Sequence, residues 1–392
     1  MPTIIRKPAF VFFVAMHVIA LDAHAARRRA VAVSPSPDAL RAPIVAIAGN
    51  VLATYERADF SVAWRKMDEE PSSAVNPLYI VIPIARASAL VVLYENGARD
   101  AQAIDDALEL LEFAVARHEQ WGHSWVTASV VNMLDLTIHR MRGLRTLPPQ
   151  TGNRIELLWQ RALDITRFEA DVRLAWNMPV PPFDSTTAGD TQAEEFAWEA
   201  SLLTAAAVFL PDHPNAPRWE RKARQLAYDA ITRPSDPPDL EGIKTTTVSE
   251  EFRLDNHGIA GNPYYAAATL QLLQQAELPY RMTRRAAPPE LHHNFWNLHR
   301  VYETYIDEDE HGRLVWNRAS DHGDPSLIPI AKAGDPGNDL RLAMQKAASG
   351  TLWRAPLVSE GVIPEAELYT AIQNHKVAWY YIVGLYWWYW PH

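Results

Sequence analysis

The stretch that most limits the fold is Leu78 to Tyr94, LYIVIPIARASALVVLY, which is apolar nearly all the way round a helix. A helix without a polar face has to be enclosed by other elements, so this one implies a core that the rest of the chain surrounds. Pro83 kinks or starts it, because proline lacks an amide proton and clashes with the preceding turn. The neighbouring segments carry the helical apolar period that such an enclosure needs. Asp38 to Glu56 places Leu40, Ile44, Val45, Ile47, Ala48, Val51 and Leu52 on one face. Ala101 to Arg117 is strongly amphipathic, and Ser124 to Arg142 follows a loop containing Trp121, Gly122 and His123. Asn153 to Phe168, Thr191 to Phe209, Pro217 to Ile231, Pro263 to Ala276 and His293 to Tyr305 continue the series, and Glu365 to Trp390 closes it with a Trp- and Tyr-rich tail. Strand-like alternation is confined to Lys244–Val248 and Gly312–Trp316.

About a dozen helices joined by long polar loops do not make a simple up-down bundle. No fixed-period self-similarity runs through the chain, as a solenoid would require. The expectation is an all-α chain folded as an (α/α) toroid of six or seven helical hairpins, with residues 38–392 as a single domain. Apolar content of 48% with 21% charged residues is ordinary for a globular protein. The formal charge is −10 and no basic tract is interleaved with aromatics, which argues against nucleic acid as a partner. With no cysteine there is no disulfide framework and no thiolate metal site.

The first residues predict a secretory signal. Arg6 and Lys7 give a positive start, Ala9 to Leu21 an apolar centre, and Ala23-His24-Ala25 a small-x-small cleavage pattern. Asp22 ends the apolar run short of the roughly 20 residues a spanning helix needs. Residues 1–25 are thus expected to be a signal peptide and 26–37 a linker, with Ser34-Pro35-Ser36-Pro37 its Pro/Ser-rich part. Export to the periplasm or the medium follows.

The polar stretch with most chemistry is Val248 to Ala268, VSEEFRLDNHGIAGNPYYAAA. It brings Glu250, Glu251, the Asp255–Gly258 turn, Tyr264 and Tyr265 to a loop that opens into a helix, where a scaffold can position proton-transfer groups. The competing reading is an Asx-turn that caps the helix, with His257 merely hydrogen-bonded. The chain also holds 14 Trp and 14 Tyr. Flat rings line ligand clefts and stack on sugars, although many also fill cores. Trp121, Trp125, Trp176, Trp198 and Trp316 are the candidates for carbohydrate contact. His292, His293 and His299 are the histidines that could suggest a metal, but no metal is expected there. Nucleophile-elbow, P-loop, zincin and dinucleotide patterns are missing from the sequence.

Two stretches carry a family resemblance: Asp190 to Ala223, DTQAEEFAWEASLLTAAAVFLPDHPNAPRWERKA, and Ser249 to Gly258, SEEFRLDNHG, followed by NPYYAAAT. Together they resemble the secreted (α/α)-toroid lyases of polysaccharide lyase family 38, which act on alginate and glucuronan. The likeness covers roughly residues 190 to 320, in matching order; the first third of the chain shares only helical character. The Leu210-Pro211-Asp212-His213-Pro214 match reads as a helix stop, and the Asn256-His257-Gly258 match as functional.

The resemblance implies β-elimination on a uronic-acid polymer. The proton at C5, α to the carboxylate, is removed and the C4 oxygen is expelled, while donors neutralise the carboxylate as charge develops. No metal or cofactor enters. The resemblance gives His257 to the active site, Glu250 to orienting it, Asn256 to the substrate carboxylate and an arginine beside that carboxylate, for which Arg318 is the first candidate and Arg300 the second. The chain departs from the pattern at Phe196, where the family has an asparagine that an apolar ring cannot replace. It departs again after Arg318, where no tyrosine follows until Tyr369. Tyr265, Tyr264, Tyr302 and Tyr305 are stand-ins for that tyrosine, and His322 is an alternative base. A glycoside hydrolase using two of Glu194, Glu195, Glu250, Glu251 and Asp255 is the second reading. A catalytically silent glycan-binding toroid is the third.

Overall fold

The computed structural model describes residues 41–42, 45–46, 48–49, 52, 76–123, 125–175, 191–256, 259–260, 263–303, 306–308 and 314–316. They form a helical protein: α1 (Asn76–Glu95), α2 (Gln102–Ala116), the short turn α3 (His118–Trp121), α4 (Trp125–Arg142), α5 (Pro149–Ala175), α6 (Ala193–Phe209), α7 (Ala216–Asp229), α8 (Pro263–Met282) and α9 (Phe295–Glu303). A 3-10 turn, Pro289–His292, precedes α9. Two small antiparallel ladders are added. In one, β1 (Asp255–Asn256) pairs with β2 (Ile259–Ala260); in the other, β3 (Ile306–Glu308) pairs with β4 (Leu314–Trp316). The class is all-α. Among the described residues no helix is long and apolar enough to cross a membrane.

The apolar run Leu78–Tyr94 becomes α1, with Pro83 inside the helix, and is enclosed by α2 and α4. Ile84, Ala87, Val91 and Val92 are at most 1% exposed. The hub of the described fold is nonetheless α6, which packs against α4, α5, α7, α8 and β1. Its run of alanines lets neighbouring helices approach on every side, so it is buried around its whole circumference. A buried polar seam fixes these contacts. Ser129 Oγ donates to Gln275 Oε1 at 2.9 Å, Asn132 Nδ2 donates to the Ser201 carbonyl at 2.7 Å, and Thr166 Oγ1 donates to Asp135 Oδ2 at 2.7 Å. Paired in this way, polar groups specify one register instead of opposing burial.

The Leu210–Pro214 segment is a helix stop, as its sequence suggests. Helix α6 ends at Phe209, and His213 stacks on Trp219 of α7 with ring centroids 4.5 Å apart. Trp219 Nε1 and Asn215 Nδ2 both donate to Asp171 Oδ1 of α5, at 3.1 and 2.9 Å. Trp219→Phe keeps most of the ring and removes one of the two donors. It is expected to cost about 1–3 kcal/mol, read as a lowered denaturant midpoint with an unchanged slope.

Two local expectations need correction. Lys244–Val248 is not a strand; it has only an isolated bridge from Val248 to Leu254. Its polar groups turn back to the end of α7: Thr247 N donates to the Thr232 carbonyl at 2.8 Å and Thr247 Oγ1 to the Asp229 carbonyl at 2.9 Å. Helix α5 runs well beyond Asn153–Phe168 at both ends, to Pro149 and Ala175. Of Asp38–Glu56 the described positions are helical, with Ala48 and Leu52 in the core. Residues 1–37, where the signal peptide and linker were expected, and the Glu365–Trp390 tail lie outside the described residues.

Candidate functional site

The segment from α7 to β1 is irregular but tied down. Arg233 donates through its backbone N to Asp236 Oδ2 at 2.9 Å and through Nη2 to Oδ1 at 2.8 Å. Asn294 Nδ2 reaches the same carboxylate at 2.6 Å. Burial alone would raise the Asp236 pKa; these hydrogen bonds and the Arg233 charge outweigh it and hold it below the ordinary value. Glu250 belongs to this latch: its Oε2 accepts from Ser235 Oγ at 2.7 Å and lies 3.8 Å from Arg233 Nη1. The Arg233 guanidinium sits 4.8 Å from the Phe252 ring centre, and Phe252 takes a left-handed φ of 61°. A bulky residue in that region is held by its surroundings, so the latch fixes the path of the chain into β1.

Beyond the latch, β1 carries Asp255 and Asn256 at the backbone level and lies against α6. His257 and Gly258, which join β1 to β2 in sequence, lie outside the described residues, as does Arg318. Trp316 is placed only by its backbone in β4. Tyr265, in the first turn of α8, is half-buried against the core. His292, His293 and His299 go separate ways: His292 bonds Glu277 at 2.9 Å, His293 stacks on Tyr228 at 3.9 Å, and His299 is buried. No group of three or more metal-ligating side chains is present among the described residues.

At the start of α6 the motif residues divide. Phe196 is fully buried in the core. Trp198 is half-buried and donates through Nε1 to Glu194 Oε1 at 3.0 Å. Trp121 is corrected as a ligand-facing ring. It is 0% exposed, donates to the Ala114 carbonyl and meets His118 edge-on, so it offers no face to a sugar.

The densest chemistry lies where the end of α5 meets α6, in residues that sequence reasoning passed over. Arg173 donates through Nε to Glu199 Oε2 at 2.8 Å and through Nη1 to Glu169 Oε2. All three side chains are at most 2% exposed. Two imidazoles converge on the other Glu169 oxygen: His118 Nε2 at 2.8 Å and His123 Nδ1 at 3.0 Å. Burial alone would raise the Glu169 pKa, but the His118 hydrogen bond and the Arg173 charge outweigh it and hold it below its ordinary value. Burial lifts Glu199 to about 7, with Arg173 offsetting only part of that cost. Two carboxyls on one guanidinium are thereby pushed apart in acidity, which is the arrangement acid–base chemistry uses. The signal for this cluster was the Glu169/Arg173 spacing of four on one helix face, beside the Trp121-Gly122-His123 loop. Compared with protein-family models, with curated proteins and with solved structures, the chain matches none.

Proposed function

We propose that this chain is an exported polysaccharide lyase on an (α/α)-toroid frame, cleaving a uronic-acid polymer by β-elimination without metal or cofactor. The observation that supports it is the packing of β1 on α6. That contact sets Asp255 and Asn256, which lead into His257, against the helix that carries Glu194 to Trp198. These are the two stretches on which the resemblance rests. In this reading His257 and Asn256 act at the substrate carboxylate with Arg318, while Tyr265, Trp198 and Trp316 border the sugar. Glu250 positions the loop through Ser235 and Arg233. A net charge of −10 requires the cleft itself to be locally basic, since focusing depends on the cleft and not on the total.

A glycoside hydrolase is the second reading. It would draw its acid and base from Glu194, Glu195, Glu250, Glu251 and Asp255, of which Glu250 and Glu251 are exposed to solvent. Incubation with alginate, glucuronan and pectate separates the two, since only elimination leaves a double bond conjugated to the carboxylate. The expected result is a rise in ultraviolet absorbance on at least one polyuronate, lost in His257→Ala while the helical circular-dichroism signal is retained. No rise on any of the three, with new reducing ends on neutral glycans, would sink the lyase reading.

A further inference from the structure

We propose that His123 is the base that removes the C5 proton, with Glu169 as the positioning residue behind it; this rests on the lyase reading above. The chain lacks a motif tyrosine for that role, and the cluster at the end of α5 supplies a different group suited to it. Glu169 is fully buried and its carboxylate is held in the ionised form by Arg173 and the two imidazoles. A carboxylate oxygen only accepts, so His123 Nδ1, 3.0 Å away, carries the proton and donates it. In the neutral ring that fixes the tautomer, so Nε2 is the nitrogen that carries the lone pair, on a side chain that is 49% exposed. His118 holds the same oxygen from a more enclosed position, 18% exposed, and braces the carboxylate.

The surroundings suit a sugar ring. Phe168 is 48% exposed, and its ring centre lies 5.5 Å from that of His123 and 5.7 Å from that of His118. An exposed ring beside a basic nitrogen lets a pyranose lie on its face with a C–H edge turned to the imidazole. The cluster is also joined to the motif helix, because Arg173 connects Glu169 to Glu199, the residue after Trp198 in α6, and β1 rests on that same helix.

The step balances without another reactant. His123 Nε2 takes the C5 proton, the C–H electron pair becomes the C4–C5 double bond, and the C4–O bond breaks with its electrons on the leaving oxygen. The imidazolium then returns its proton to that oxygen, and His123 ends neutral.

The test is His123→Asn, whose side-chain amide keeps a donor for Glu169 but has no basic nitrogen, with His123→Gln made alongside. Elimination on the best polyuronate is expected to fall at least about 100-fold, the usual share of a general base. Thermal stability and polymer retention on an affinity gel are expected to stay near those of the native protein. Glu169→Gln, which removes the charge behind the imidazole, is expected to move the acidic limb of the kcat/KM profile to lower pH. Phe168→Ala is expected to raise KM with little change in kcat. If either His123 variant eliminates within about threefold of native with the native pH profile, His123 is not the base and the lyase reading still stands. If the native protein eliminates on no polyuronate, the lyase reading fails and the assignment of His123 falls with it.

Discussion

Arg173→Met is expected to destabilise the protein by about 3–5 kcal/mol, the range for removing one partner of a buried ion pair. Arg173 lies between Glu169 and Glu199, and all three are at most 2% exposed. Methionine fills a similar volume, so the loss comes from the two carboxyls left without their cation, not from a cavity. Glu199→Gln is the control. Burial lifts Glu199 to about 7 and its Oε1 has no hydrogen-bond partner among the described residues, so an uncharged isostere in its place is expected to cost under about 1 kcal/mol. Chemical denaturation of the two variants measures the difference directly. Equal losses would mean that Glu199 is fully charged in the fold and that the cluster is an ordinary salt-bridge triad.

Stability is also expected to fall as pH rises from about 4 to about 8, the reverse of the acid sensitivity usual for paired carboxylates. Burial pushes Glu199 to about 7, and burial with the neighbouring Asp239 charge pushes Asp229 to about 8. Burial also drives Asp135 well above its ordinary value. An acid whose folded pKa is raised contributes stability that is complete below its unfolded pKa near 4 and is lost as pH climbs through the folded value. At about 1.4 kcal/mol per pK unit, the Glu199 and Asp229 shifts together make the fall across this range on the order of 10 kcal/mol. Glu169, Asp236 and Glu290 act oppositely: burial alone would raise them, but their cationic and hydrogen-bonding partners hold them low, so their stability is lost only in acid. His293, lowered chiefly by burial, gives a smaller gain as pH rises through the unfolded histidine range near 6.5. The stability maximum is therefore expected on the acid side of neutrality. Melting curves between pH 4 and 9 test this, and Asp229→Asn is expected to flatten the alkaline side. A melting temperature that climbs steadily from pH 5 to 8 would contradict it.

The helices were legible wherever apolar residues repeat at helical spacing. Leu78–Tyr94, Ala101–Arg117 and Thr191–Phe209 each lie within two residues of the helix they became. Where the boundary rested on polar residues, it was not legible. Helix α5 continues beyond Phe168 through Glu169 and Arg173, charged residues that look solvent-facing in sequence and are buried only because they face His118, His123 and Glu199. A pattern read along one chain segment cannot show pairing between segments distant in sequence. Trp121 read as a ligand-facing ring for another reason: its indole turns back to donate to the Ala114 carbonyl seven residues earlier, and residue type alone does not show that turn. Lys244–Val248 looked like a strand because its threonines are β-branched, yet their hydroxyls and amides serve the end of α7. Phe196, which departs from the pattern of the family the sequence resembles, is a core ring.

The central claim is the chemistry, and its most direct measurement is cleavage in water labelled with heavy oxygen, followed by mass spectrometry of the oligosaccharides. Elimination predicts fragments whose new non-reducing ends are lighter by one water than hydrolysis products, with no heavy oxygen gained on cleavage. Fragments of full mass that each carry one heavy oxygen at the cleaved bond would contradict the account and leave the glycoside hydrolase in its place.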